Sequence, residues 1–401
     1  MRILVITDNI GGNAPGIVIE RFLCEMSKSE SVDALTYEYV KSPDMPSLGN
    51  VTVLGQMFET EKIRRRFNTA SIKWLGANPA DELRKNNALK ALRGKSYDII
   101  LGCCYGCYLF GLTAGIAAKR RFRVPLVSFF MDAIPSPVGW IEDGLYRHRM
   151  ERLVTKGLRQ ADGLLSTNPK MLDYEAGFLP VDRHVGIGGK NTSGHAMTDF
   201  VFTPCVTSSL TRIPRAASAD FTFLYAGSIY GPRRLDHLLK AFARLIDEGR
   251  NVRLNFVGTH DIEKTISGLP NNVQEKITIT NRVADLTPYY SQACALVDID
   301  AELPDDVFLS SKITNYVSID RPVISETGPD SESRRLFKGL KTVIQCGHDA
   351  EELHDAMEEV ITCRVPDDYS ERDSIIKQFS LEENSAKLIA FLKSFRTPHS
   401  L

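Results

Sequence analysis

The sequence is short of net charge: 49 Lys+Arg stand against 50 Asp+Glu, leaving −1 over 401 residues. Proteins that bind nucleic acid in bulk carry a basic excess, so that class is excluded and no nucleic-acid partner is expected. Long hydrophobic runs are missing as well. A membrane span needs about 20 apolar residues, and the longest candidate, 98–118, is broken by Gly102, Gly106, Gly111 and Gly115. There is no signal-type apolar region at the start; Met1-Arg2-Ile3-Leu4-Val5-Ile6 reads as a buried strand that begins at once. A cytoplasmic protein is the expectation. Zinc-type cysteine spacing is absent too. Cys103, Cys104 and Cys107 continue an apolar strand with no second Cys or His pair nearby, and are expected in the core. Cys24, Cys294 and Cys346 lie in apolar runs and are expected to be small buried hydrophobes.

What remains is an ordinary globular composition, 43% hydrophobic and 25% charged. At roughly 100–200 residues per domain, the length suggests about two domains. The charge is unevenly spread: residues 1–200 carry a net +5 and residues 201–401 a net −6.

Short apolar runs alternate with helical stretches along the chain. In the first half the runs are 3–7, 32–40, 51–54, 98–101, 125–131 and 163–166, with helical stretches at 15–26, 80–92, 109–119 and 146–161. Continuous apolar strands separated by helices imply a parallel sheet covered on both faces. A Gly-, Ser- and Thr-rich segment, 186–219, reads as a linker. The pattern then restarts, with strands at 221–226, 253–257, 277–280, 295–299 and 322–325, and helices between them. The expected architecture is α/β, two doubly wound Rossmann-like domains facing each other across a cleft. The boundaries are 1–200, 201–380 and a C-terminal helix within 381–401 that packs back on the first domain.

In such sheets ligands meet the carboxyl ends of strands and the helix N-termini that follow. The first strand runs into Asp8-Asn9-Ile10-Gly11-Gly12, where a glycine pair lets backbone approach a ligand. It is not the dinucleotide fingerprint, and no acidic residue completes a ribose site. In the second half, Tyr225-Ala226-Gly227-Ser228 ends a strand and Arg233-Arg234 opens a helix, a combination suited to a diphosphate. Val257-Gly258 ends the next strand. Further on, Ser310-Ser311-Lys312 starts a helix with a cation in its first turn, which the helix dipole disfavours unless an anion sits there. Asp298-x-Asp300 is the only loose match to a metal-binding acidic pair.

At these residues the sequence resembles a GT-B nucleotide-sugar glycosyltransferase, in the retaining group called glycosyltransferase family 4. The likeness is carried in order by 223–228 with 239–242, by 254–258, by 283–290 with 293–295, and by Ser311-Lys312-Ile313-Thr314-Asn315-Tyr316 with Arg321-Pro322-Val323. In the first half it is carried by Gly11-Gly12, 125–132 and 160–167. The resemblance implies donor binding by Gly11, Gly12, Gly227, Ser228, Arg233, Gly258, Ser311, Lys312 and Asn315. It implies catalytic roles for Asp132, Glu302 and Asp306. It also implies a nucleotide-sugar donor, a sugar or lipid-linked acceptor, no metal and no cofactor, with a role in surface polysaccharide or glycolipid synthesis.

Several positions depart from the family pattern. Ser228 replaces an Arg, Arg233 a Lys, and His260 a glycine. Val307 and Asn315 stand where a Glu-x7-Glu motif would lie, and Met131 replaces a His beside Asp132. Two alternatives follow: a catalytically weak GT-B partner protein, and a nucleotide-sugar 2-epimerase. Two basic stretches, Lys62-Ile63-Arg64-Arg65-Arg66 with Phe67 and Trp74, and Lys119-Arg120-Arg121 with Arg123, would bring the first domain to the inner membrane face if they point one way.

Overall fold

The computed structural model describes residues 1–43, 45–179, 196–201 (backbone only), 209–216, 220–283, 285–362 and 364–395. Most of the expected 186–219 linker therefore lies outside the described residues. The chain divides into two compact units, Met1–Cys205 with Leu381–Leu401, and Val206–Ser380.

The first unit holds a parallel seven-stranded sheet. Its strands are β1 (Arg2–Ile6), β3 (Ser31–Thr36), β5 (Val51–Val53), β6 (Ile99–Cys104), β7 (Leu126–Phe130), β8 (Gly163–Ser166) and β9 (Ala196–Val201), in the order β5-β3-β1-β6-β7-β8-β9. β9 turns part of the expected linker into an edge strand. A small pair, β2 (Asn9–Gly11) and β4 (Glu38–Val40), lies beside it. The single strand expected at 32–40 is thus split, for a local reason. Thr36 Oγ1 (2.8 Å) and Tyr37 N (3.0 Å) both donate to the Asp8 carbonyl, which draws the chain out of the main sheet toward β2.

β1 is buried from Ile3 to Ile6, and β6 and β7 are buried throughout, as strands covered by helices on both faces must be. One core layer gathers Ile3, Val5, Leu101, Val127 and Leu165 with Phe22 and Leu23 of the helix Ala14–Met26. The final helix, Leu381–Ser394, packs on that same helix and adds Leu388, Ile389 and Leu392 to the layer.

The helix Glu61–Leu75 was not anticipated. Thr60 caps it by accepting from Ile63 N (3.3 Å), and Gly76 ends it in the left-handed region with φ 64. Its facing is reversed. Arg64, Asn68, Ser71 and Ile72 are buried, while Ile63, Phe67, Trp74 and Leu75 are exposed. Hydrophobic periodicity cannot find a helix whose inward stripe is mostly polar. Arg64, expected on a solvent-facing basic stretch, is therefore a core residue.

The second unit repeats the plan with β10 (Phe221–Ala226), β11 (Val252–Val257), β12 (Ile277–Thr280), β13 (Ala295–Ile299), β14 (Val323–Glu326) and β15 (Val343–Cys346). All pair in parallel, in the order β12-β11-β10-β13-β14-β15. The helix Asp236–Asp247 covers one face with Leu238, Leu239, Phe242 and Leu245. Cys103, Cys104 and Cys346 are buried as expected, whereas Cys24, Cys107 and Cys294 are half-buried.

Candidate active site

Each sheet reverses its strand order once, between β1 and β6 in the first unit and between β10 and β13 in the second. The two strands diverge at such a point, and their carboxyl ends open a crevice. In the second unit the fork can be located by register. β10 pairs with β13 at Phe223–Ala295 and Leu224–Leu296, but stays with β11 as far as Ala226–Val257.

Just past the fork lies Gly227, whose φ of 143 favours glycine. A Cβ there would come within 2.5 Å of Lys312 Cδ, so the lysine stem occupies the space a side chain would need. Thr259 Oγ1 donates to the Gly227 carbonyl (2.6 Å), and Ser228 Oγ reaches the Gly258 carbonyl at 3.5 Å. Gly227, Ser228 and Gly258 thus form one ridge along two strand ends.

Beneath the ridge lies a buried set of charges. The Lys312 ammonium is 3.8 Å from Asp298 Oδ1 and 5.2 Å from the Tyr225 ring centroid. Ser310 caps the helix Ser311–Tyr316; its hydroxyl donates to Asp298 Oδ1 (2.9 Å) and accepts from Lys312 N (3.3 Å). Burial brings Lys312 down to about 8, with Arg233 pushing the same way against the pull of Asp298. Arg233 is buried, with its guanidinium 4.9 Å from the Tyr230 ring centroid. Burial, then the charges of Asp298 and Asp306, raise Asp300 to about 7, while Arg233 opposes them. Thr327 Oγ1 donates to Asp300 Oδ2 (2.9 Å).

The structure therefore gathers Gly227, Ser228, Gly258, Arg233 and Lys312 about one fork. Asn315 is half-buried on the same short helix as Lys312, its Nδ2 donating to the Ser311 carbonyl (3.3 Å), and Ser311 is exposed. Glu302 is exposed, 3.5 Å from His237 Nε2 and 3.9 Å from Arg234 Nε. Asp306 departs from expectation. It is 1% exposed, with Oδ1 accepting from Phe308 N (3.2 Å), so it belongs to the buried charge set and does not reach toward a donor sugar. The sequence reading missed Glu326 and His348, 3.2 Å apart, where β14 ends. Burial raises Glu326. The available signal was an acid closing an apolar strand, Val323-Ile324-Ser325-Glu326.

Asp298-x-Asp300 does not form a metal cage. Among the described residues one acidic and histidine group is close enough for an ion, Glu248, His354 and Glu358, and there Arg250 already holds Glu358 with two 2.7 Å hydrogen bonds.

In the first unit Gly11 and Gly12 have φ 68 and 73. A Cβ on Gly11 would lie 1.8 Å from the Val40 carbonyl oxygen, so the loop is clamped against β4. Asp8, at the end of β1, is fully buried and ion-paired with Arg64, whose guanidinium lies 4.3 Å from the ring centroids of both Tyr37 and Tyr108. Asp132 follows β7. Its Oδ2 accepts from Gly106 N (2.8 Å), and burial raises its pKa. Close by, Glu175 accepts from Ile134 N (2.6 Å); burial and the Asp132 charge hold it well above the usual carboxylate range.

No curated protein sequence matches the chain. Residues 220–363 match the family model described as Glycosyl transferases group 1. Among solved structures, HepE of Anabaena, solved with UDP and glucose, aligns with TM-score 0.65 at 13% identity, covering 98% of this chain and 100% of that one. The apo lipopolysaccharide outer core galactosyltransferase WaaB aligns with TM-score 0.61 at 12% identity, covering 98% and 99%. The MnaA–UDP structure from S. aureus aligns more loosely, with TM-score 0.52 at 13% identity and 98% and 96% coverage. Both units have the parallel α/β build of this fold, and the second carries the family's segment. The chain has the GT-B fold, and its residues 220–363 match the glycosyl transferases group 1 family.

Proposed function

We propose that this protein moves a sugar from a nucleoside-diphosphate sugar to a hydroxyl acceptor with retention of configuration, in surface polysaccharide or glycolipid synthesis. The carrying observation is the pair of cations under the glycine ridge at the fork of the second unit, Arg233 buried and Lys312 half-buried. When the bond from the anomeric carbon to the diphosphate breaks, its electron pair leaves on the diphosphate. Cations fixed beforehand stabilise that growing charge without reorganising. The acceptor oxygen then bonds the anomeric carbon from the face the diphosphate leaves, and its proton passes to the departing diphosphate oxygen.

In this reading Gly227, Ser228 and Gly258 offer backbone to the donor, and Ser311 and Asn315 face its nucleoside side. Asp132 and Glu302 are the carboxyls available to the reacting sugars. Asp306 acts only through the charge set beneath. The reading assigns no role to a metal or cofactor.

A panel of UDP-, GDP-, ADP- and dTDP-sugars scored by thermal shift tests it. Stabilisation by one nucleotide family, weakened by Arg233→Ala and by Lys312→Ala, is expected. No response to any of them removes the donor site. Binding without transfer or donor hydrolysis favours the partner-protein alternative, which the departures at Ser228, Val307 and Asn315 motivate. Conversion of a UDP-sugar in the absence of acceptor would mark an epimerase.

The proposal includes peripheral contact with an anionic membrane that carries the acceptor. Among the described residues no helix is long and apolar enough to cross a membrane. Helix Glu61–Leu75 instead shows an outward apolar stripe, Ile63, Phe67, Ala70 and Trp74, at i, i+4, i+7 and i+11, flanked by exposed Lys62, Arg65 and Arg66. The turn after this helix, Gly76 to Asn78, and Arg120 of the second basic stretch line one depression of about 740 Å³, together with Lys85 and Lys156.

A further inference from the structure

The fork between β10 and β13 leaves a hydrogen-bonding problem. In a parallel sheet the N–H and C=O of one residue point to the same neighbouring strand. Gly227 N donates to Val257 O (2.8 Å) on the β11 side, so the preceding residue, Ala226, directs its groups toward β13. β13 has already left, since its pairing with β10 ends at Leu224–Leu296. Buried backbone groups left without partners are costly, and here one side chain meets both. The Tyr316 hydroxyl accepts from Ala226 N (2.7 Å) and stands 3.3 Å from Ala226 O, to which it donates. Tyr316 is 1% exposed, and its ring meets Tyr290 edge-on at 6.4 Å.

Tyr316 lies four residues after Lys312, on the same face of the helix Ser311–Tyr316. The two side chains reach consecutive residues of the strand end. Lys312 fills the space over Gly227, and Tyr316 grips the backbone of Ala226. The helix bearing Lys312 and Asn315 is thereby held in register with the turn bearing Gly227 and Ser228. We propose that Tyr316 is a positioning residue for the nucleoside diphosphate: its hydroxyl replaces the departed strand β13 and fixes the Gly227 turn against Lys312. This rests on the donor-site reading above.

The test is isothermal titration of the full chain with UDP, GDP, ADP and dTDP, comparing wild type, Tyr316→Phe, Gly227→Ala and Thr342→Val. Tyr316→Phe removes one hydroxyl and leaves the Ala226 groups unpaired. The Kd of whichever nucleotide binds should rise about five- to ten-fold, the size expected for one lost buried hydrogen bond. Gly227→Ala forces the same two elements apart from the strand side and should weaken binding at least as much. Thr342→Val removes a buried hydroxyl bonded to Glu371 (2.6 Å) and Arg372 (2.8 Å) in the same unit; it should lower the melting temperature and leave Kd unchanged.

A wild type that binds none of the four nucleotides removes the donor reading and this proposal together. A wild type that binds, with Tyr316→Phe within two-fold of it, removes this proposal alone. So does a Thr342→Val chain that weakens binding as much as Tyr316→Phe, because the effect is then general loss of stability. Should Tyr316→Phe fail to fold, Gly227→Ala decides: wild-type affinity there would show that the spacing between Gly227 and Lys312 does not matter.

Discussion

Arg64 and Asp8, 56 positions apart in the chain, form a fully buried ion pair at the carboxyl end of the first strand. The guanidinium is also enclosed by the rings of Tyr37 and Tyr108. Burial raises the Asp8 carboxyl and Arg64 pulls it back down, so the acid depends on its partner. Removing one member of such a pair strands a buried charge, at about 3–5 kcal/mol. Arg64→Ala should therefore lower the thermal unfolding midpoint by several degrees, while the exposed neighbours Arg65→Ala and Arg66→Ala leave it nearly unchanged. Equal effects from all three would contradict the pairing.

Lys312, held at about 8, is largely charged at neutral pH and loses its proton as pH rises through that value. Attraction for a diphosphate ester should follow the charged form. Affinity for the nucleotide-sugar is expected to be level below pH 7 and to decline above about pH 8. Lys312→Arg, with a guanidinium that stays charged, should remove the decline. Titrations at pH 6.5, 7.5 and 8.5 distinguish a flat profile from a falling one.

Glu175 gives the opposite dependence, read in stability. Its native carboxyl keeps its proton at a pH where the unfolded chain has lost it, because burial and then the Asp132 charge raise its pKa. The native state thus binds more protons, and stability falls as pH rises from the ordinary carboxylate range, by at most about 1.4 kcal/mol per unit for one proton. Glu175→Gln keeps an acceptor for Ile134 N without a titrating group. The wild type should lose more stability than Glu175→Gln between pH 5 and 7; parallel slopes would show that Glu175 is ionised.

The outward stripe of helix Glu61–Leu75 predicts a fluorescence signal. The chain has two tryptophans, and Trp74 is 69% exposed. In a Trp140→Phe background its emission should shift to the blue on adding phosphatidylglycerol-containing vesicles, and not with phosphatidylcholine alone. Lys62→Gln with Arg65→Gln and Arg66→Gln should weaken the response several-fold, about 1 kcal/mol being expected per basic residue at an anionic surface. An identical response to both vesicle types would remove the anionic-membrane reading.

The alternation of apolar strands with amphipathic helices made both sheets legible, because burial on two faces leaves an uninterrupted run such as Ile99–Cys104. Gly227 was legible as well, since a glycine at a strand end marks unusual backbone. Pairing across the chain was not. Nothing local to Arg64 distinguishes it from Arg65 and Arg66, and its burial follows from Asp8 far upstream. Asp306 reads as an acid beside a ligand site, yet the fold buries it close enough to Asp300 for their charges to repel. Tyr316 entered only as part of a motif, because its task arises where two strands part, which register reveals and residue type does not.

The closing helix Leu381–Ser394 has a consequence for synthesis on the ribosome. Leu388, Ile389 and Leu392 complete a core whose other members lie between Ile3 and Leu165. The first unit to emerge therefore waits, with an apolar patch open, until the whole of Val206–Ser380 has been translated. Every described strand of the second unit lies in one continuous segment, so that unit can finish first. The second unit can thus complete its core before the first, although it is translated later. The exposed patch on helix Ala14–Met26 is where a nascent-chain chaperone would have to stand guard during that interval.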